Sequence, residues 1–217
     1  GCRNLLSYGA YDLDGKSPDY TTRQRLFQQG TISADLKLQP LKLDKITEQV
    51  RHSWYESDTS GLHPSGGKTA PAGDKPGAYS WLKAPRYDGR VYEVGPLAQM
   101  VTTYASGNTQ VKRLVDSTLT HFQVSPTALF SVLGRHAARA LAAKYLADSM
   151  EEWLLQLKPG EPTFVPYEIP EEAQGMGIID AARGALAHWI EIKEKKIANY
   201  QCVVPTTWNA SPRDDSG

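Results

Sequence analysis

The chain has 217 residues, with 24 lysines plus arginines balanced by 24 aspartates plus glutamates. That length can bury a sizeable core in one or two domains, and the even charge gives no net field to draw nucleic acid or an anionic membrane. No apolar run approaches the roughly 18–20 residues that span a bilayer. The sequence opens Gly1-Cys2-Arg3, with neither methionine nor signal-peptide core, and reads as a piece of something longer. Its two cysteines, Cys2 and Cys202, lie at opposite ends; a bridge between them stays open, but they form no disulfide framework. C-x-x-C, H-E-x-x-H, G-x-S-x-G and phosphate-loop motifs are all missing, so no side-chain set for a transition metal is expected.

In chain order, residues 1–40 predict short strands and turns. Asn4 to Tyr11 is apolar and aromatic, Asp12-Leu13-Asp14-Gly15 supplies a turn, and Gly30 to Leu38 partly alternates. Asp44 is expected to cap a short helix with Ile46, Val50 and Trp54 on one face. From Ser57 to Tyr87 the composition turns to Gly, Pro, Ser, Lys and Asp, a long irregular excursion between aromatic clusters around Trp54 and Trp81. Those tryptophans either anchor the loop to the core or face another subunit. Val94 to Tyr104 reads helical after Gly95-Pro96, and Asn108 is expected to cap a second helix carrying Val111, Leu114, Val115 and Leu119.

The longest predicted helix runs from an N-cap at Ser125, through Pro126, to Pro159-Gly160. Its stripe comprises Leu129, Val132, Leu133, Leu141, Tyr145, Met150, Trp153, Leu154 and Leu157. Gly134 within it suggests a close crossing. Residues 161–173 predict a surface connection before a turn at Gly175-Met176-Gly177. Leu186–Ile192 and Ile197–Val204 predict a hairpin about Lys193-Glu194-Lys195-Lys196, and Pro205 to Gly217 reads as irregular. The fold class is therefore α+β and predominantly helical: long bundle helices, short strands and a C-terminal β-hairpin, one partial domain over 1–217.

Chemistry is expected between Gly177 and Arg213. Arg183 sits on a turn beside Ala182 and Gly184, where little side-chain bulk hinders a close approach. The hairpin would bring Pro205-Thr206 near it, so that a permanent cation, a hydroxyl and backbone amides converge on one small anion. Arg183 as an ordinary salt-bridge arginine is the competing reading. His52, His63, His121 and His136 lie in separate elements and read as surface or core histidines. His188 is expected to face with Leu186 and Ile190, buried and hydrogen-bonded.

Two runs carry a resemblance: Ala182-Arg183-Gly184-Ala185-Leu186-Ala187-His188-Trp189, and Asn199 to Asp214 with Val203-Val204-Pro205-Thr206-Thr207-Trp208-Asn209 at its centre. Together with Arg51 to Tyr55, Tyr79-Ser80-Trp81, Lys83 to Tyr87 and Glu93 to Ala98, they closely resemble the large subunit of nickel-iron hydrogenases, the membrane-bound uptake group best. The resemblance implies reversible oxidation of dihydrogen at a nickel-iron centre bearing cyanide and carbon monoxide. It also implies a magnesium ion, an iron-sulfur small subunit, a membrane cytochrome b reached through that subunit, and a place on the periplasmic side of the cytoplasmic membrane. The family's thiolate ligands come from two C-x-x-C motifs near its termini, neither of which is present here. This chain is thus expected to be a middle-to-late part of the subunit, with no side-chain nickel or iron ligand.

By the same resemblance, Arg183 hangs over the open coordination site and assists dihydrogen cleavage. Thr206 hydrogen-bonds a cyanide, and Pro205 and Ala182 line the ligand pocket. The backbone carbonyl of Cys202 coordinates magnesium. Two positions depart from the pattern: Ala182 stands where many members have proline, and Gln99 where arginine often follows Gly-Pro-Leu-Ala. The alternative is a non-catalytic interaction module that kept the scaffold.

Overall fold

The computed structural model describes residues 2–14, 19, 22–33 and 35–214. Gly15 and Ala34, expected in a turn and a strand, lie outside them. Four short strands open the chain: β1 (Leu5–Ser7), β2 (Ala10–Asp12), β3 (Arg25–Phe27) and β4 (Gly30–Ile32). β1 pairs antiparallel with β4, and β2 with β3. Successive side chains of a strand point to opposite faces, and β1 uses both. Leu5 joins a core built with the helices, whereas Leu6 joins a core built with the C-terminal sheet.

The helical core forms around α1 (Pro96–Ala105), in which Leu97 through Thr103 are all buried. Proline at its first position needs no hydrogen-bonded N–H and presets the helical φ. α2 (Thr109–His121) begins where predicted, the Asn108 carboxamide oxygen accepting from the Val111 N–H at 2.9 Å. Val111, Val115 and Leu119 form its buried stripe.

The long predicted helix is broken. A 3-10 turn, Pro126–Phe130, precedes α3 (Val132–Gln156), and the N-cap is Ser131, whose Oγ accepts from the Gly134 N–H at 3.0 Å. Only part of the expected apolar stripe faces the core: Leu129 and Tyr145 are buried in it, and Leu141 and Trp153 pack against it. Val132, Leu133, Met150, Leu154 and Leu157 are exposed, and the buried face is Gly134, Ala138, Tyr145 and Ser149. Small residues let the turn at Leu129 come so close that a Cβ on Gly134 would lie 2.3 Å from the Leu129 carbonyl oxygen. A hydrophobicity pattern undercounts such a face because glycine, alanine and serine hardly register in it.

The helix expected near Asp44 is instead a 3-10 turn, Leu43–Lys45, followed by β5 (Ile46–Gln49) paired with β6 (Ala84–Tyr87). A spacing of four suits a strand's period of two as well as a helix, and Ile46 and Glu48 are the buried alternates. The irregular excursion expected from Ser57 to Tyr87 stops short of its end, because Ala84–Tyr87 is strand; before it lie 3-10 turns at Ser57–Thr59 and Pro64–Gly66. Trp54 and Trp81 meet at 5.1 Å between ring centroids, with Trp81 half exposed.

The expected C-terminal hairpin is present but belongs to a three-stranded meander: β7 (Glu172–Ala181), β8 (Gly184–Lys193) and β9 (Lys196–Val203). The turn expected at Gly175-Met176-Gly177 is strand, since these residues pair along β8 from Ile190 to His188. The supposedly irregular tail contains α4 (Pro205–Asn209), opened by the Thr207 hydroxyl accepting from the Val204 N–H at 2.9 Å. Four helices and nine strands among the described residues make the fold mixed rather than predominantly helical. None of those helices is long and apolar enough to cross a membrane.

Candidate functional site

The site is built from a tight turn that is clamped on two sides. β7 and β8 pair out to Ala181 and Gly184, so Ala182 and Arg183 alone make the connection. Gly184 has φ +122, and a Cβ there would lie 2.4 Å from the Gly95 nitrogen at the head of α1. Only glycine allows that backbone conformation and that contact together. The N-terminus of α1 is thereby pressed against the turn, and Gln99, one helical turn in, donates from Nε2 to the Ala181 carbonyl at 3.2 Å.

Asp180 secures the other side. Its carboxylate accepts from the Ser7 hydroxyl at 2.5 Å and the Tyr8 N–H at 3.1 Å, and its own N–H donates to the Gly9 carbonyl at 2.8 Å. Burial pushes the Asp180 pKa up to about 6, against the lowering effect of the hydrogen bonds from Ser7, the backbone of Tyr8 and Gly9, and Gln99. Asp180 therefore faces the β1–β2 corner and makes no ion pair with Arg183, although the two are only three residues apart.

Arg183, Pro205 and Thr206 line one cleft of about 250 Å³, together with Pro96, Glu93, Arg135, Arg139 and Asn209. The predicted meeting of the turn with Pro205-Thr206 is thus present. Pro205 is buried, whereas Arg183 and Thr206 are exposed, so the cleft within this chain is not the water-poor setting expected for the guanidinium. Asn209 closes one wall by bonding Val94 twice: its oxygen accepts from the Val94 N–H at 3.0 Å, and its amide donates to the Val94 carbonyl at 2.9 Å. Glu93 grips Arg135 through two bonds, 2.7 Å to Nε and 2.5 Å to Nη2. With that pair neutralised, Arg139 and Arg183 leave the cleft positive. A planar fork and a neighbouring hydroxyl suit an anionic group.

Ala182 flanks Arg183 without lining the cleft. Cys202 lies apart on β9, in register with His188, and both cysteines are free thiols. His188 is half-buried rather than buried, because Ala185, Ala187 and Trp189 take the core face of β8; its Nδ1 meets the Tyr200 hydroxyl at 2.5 Å. No group of three or more histidine, cysteine, aspartate or glutamate side chains suited to a metal occurs among the described residues. Sequence reasoning missed Arg135 and Arg139, although their i, i+4 spacing on a helix puts them on one face. It also missed the anchoring by Asp180 and Gln99, which no local signal announces.

Scaffold and cleft together define a class: a mixed α/β unit that holds out a guanidinium and a hydroxyl to a small anionic group at a positive cleft. The chain belongs to the nickel-dependent hydrogenase family, whose family model matches residues 1–217. It is 40% identical to the uptake hydrogenase large subunit of Bradyrhizobium diazoefficiens, covering 99% of this chain and 41% of that protein. The periplasmic [NiFeSe] hydrogenase large subunit of Desulfomicrobium baculatum is 41% identical over 100% of this chain and 42% of its own length. Among solved structures, the reduced Ni-Fe-Se hydrogenase of D. vulgaris Hildenborough superposes with a TM-score of 0.86 at 39% identity, over 100% of this chain and 45% of that one. The chain therefore spans less than half the length of the relatives it matches.

Proposed function

We propose that this chain forms part of a hydrogenase large subunit that catalyses reversible oxidation of dihydrogen to protons and electrons, 1–217 being part of one domain. The observation that supports this reading is the convergence of Arg183, Pro205 and Thr206 on one positive cleft. When bound there, a nickel-iron centre with cyanide and carbon monoxide ligands would supply the site of H–H cleavage and accept the electrons.

The chain's own residues do the rest. Arg183 keeps its proton at any ordinary pH, so it orients and stabilises negative charge and does not act as a base. Thr206 would hold the group by donating its hydroxyl to a cyanide. Pro205, buried and without an N–H, gives the pocket a rigid wall. Ala182 completes the turn beside Arg183, and the Cys202 backbone carbonyl would coordinate magnesium. An iron-sulfur small subunit would carry electrons onward to a membrane cytochrome b, with the assembly at the periplasmic side of the cytoplasmic membrane. The Desulfomicrobium relative, named periplasmic, agrees with that placement.

The test is Arg183→Lys in the complete heterodimer. Lysine keeps the charge and loses the fork, so dihydrogen oxidation is expected to fall on the order of 100–10,000-fold while nickel and iron content hold. A rate within about threefold of the parent would remove Arg183 from the mechanism.

A further inference from the structure

Arg183 is exposed, and among the described residues no hydrogen bond or ion pair engages its guanidinium. Its placement therefore depends on the backbone that carries it. That backbone is a two-residue connection with few means of fixing itself, since Ala182 contributes only a methyl group. Two polar side chains hold its base. The Asp180 carboxylate bridges to Ser7 and Tyr8 of the β1–β2 corner, and the Gln99 amide reaches the Ala181 carbonyl from α1. Both are more than nine-tenths buried, at 6% relative exposure each.

We infer that Asp180 is a positioning residue for Arg183, holding the turn so that the guanidinium stays at the cleft beside Thr206, with Gln99 as the second tie. The inference rests on the reading of Arg183 as the residue that acts on dihydrogen. Asp180 acts through hydrogen bonds and not through charge. An asparagine in its place keeps an oxygen for the Tyr8 N–H and presents an amide to the Ser7 Oγ, which then turns its own proton to the Gln28 carbonyl 3.0 Å away. An alanine keeps neither bond and leaves the Tyr8 N–H unmatched. A displacement of about 1 Å at a positioned group can cost on the order of 100-fold in rate, so loosening the turn should register in turnover.

The experiment uses the complete, metal-loaded heterodimer with Asp180→Ala, Asp180→Asn, Arg183→Lys and the double variant Asp180→Ala/Arg183→Lys. Asp180→Ala is expected to slow dihydrogen oxidation roughly tenfold. Asp180→Asn should stay within about threefold of the parent. On the Arg183→Lys background, Asp180→Ala should add less than about twofold, because a misplaced lysine has little left to lose. Hydrogen exchange adds a readout independent of activity: amides of residues 178–186 should exchange faster in Asp180→Ala, with those of β9 unchanged.

Three results would each overturn the inference: full multiplication of the two effects, Asp180→Asn as damaging as Asp180→Ala, or unchanged exchange at the turn. If Arg183→Lys itself leaves the rate intact, the catalytic reading of Arg183 fails, and the exchange data alone then decide whether Asp180 holds the turn. Should Asp180→Ala not assemble, Gln99→Leu removes the second tie and is expected to speed exchange at the same amides; unchanged exchange there counts against the inference.

Discussion

With its carboxylate packed under Ser7 and Tyr8, Asp180 binds a proton more readily in the folded chain than in the unfolded one. Its pKa stands near 6 against an ordinary 3.8. Between those values the native state holds a proton that the unfolded state has released. This residue therefore opposes folding fully above about pH 6, progressively less as the pH falls, and not at all below the ordinary carboxylate range. Complete relief across the window is worth roughly 3 kcal/mol. Urea unfolding of the large subunit at pH 5 and pH 7 should show Asp180→Asn gaining on the parent at pH 7 and gaining less at pH 5. A gap between parent and variant that is the same at both values would show that burial does not raise this group. The local sequence carries no hint of such behaviour: Asp180 beside Ala181 and Ala182 looks like an ordinary turn residue until β1 is laid against it.

At the scale of elements, two substitutions separate what the pattern suggested from what the packing requires. Ser125 and Ser131 both precede helical runs, but only Ser131 accepts a bond from the backbone of α3, whereas the Ser125 hydroxyl meets Thr127. Ser131→Ala should cost about 1 kcal/mol and Ser125→Ala less than half of that, measured by chemical denaturation of the large subunit; equal losses would return the helix start to Ser125. The turn between β7 and β8 gives the second contrast. Gly184→Ala forces a Cβ to within 2.4 Å of the Gly95 nitrogen and holds alanine at φ +122, whereas a Cβ on Gly177, in the middle of β7, meets nothing within 4 Å. The first change should cost more than about 2 kcal/mol and the second less than about 0.5. A Gly184→Ala protein of parental stability would mean that α1 does not press on the turn.

Over the whole molecule, apolar surface is unevenly spent. Two cores are complete, one between the N-terminal strands and the helices, the other between β1, β5 and the C-terminal sheet. The far end of α3 and the connection after it nevertheless expose Met150, Leu154, Leu155, Leu157, Phe164, Val165 and Tyr167. An apolar stretch of this kind is the usual mark of a surface that is covered in the working assembly. The 217 residues on their own should accordingly self-associate and bind a hydrophobic dye, and Leu155→Lys with Val165→Lys should reduce both. A monodisperse monomer that leaves the dye dark would refute this.

What the amino-acid order determined by itself was largely local. Asn108 begins α2 because a carboxamide before a helix satisfies a free N–H, and α1 begins at Pro96 because proline suits a first helical turn. β8 and β9 were legible from their β-rich runs around a charged turn, and the meeting of Arg183 with Thr206 followed from that hairpin and the family resemblance. The tertiary structure decided the rest, because those outcomes depend on partners far along the chain. Ile46 to Gln49 became a strand because Ala84 to Tyr87 pairs with it, across a loop that no periodicity could bridge. α3 buries its glycine and alanine face because close backbone contact is available there, which a count of large apolar residues cannot register. The turn that carries Arg183 is held by Ser7, Tyr8 and Gln99 through hydrogen bonds that span 173, 172 and 82 residues of sequence. A hydrogen bond across such a span exists only after the chain has folded, since nothing in the neighbourhood of either partner encodes it.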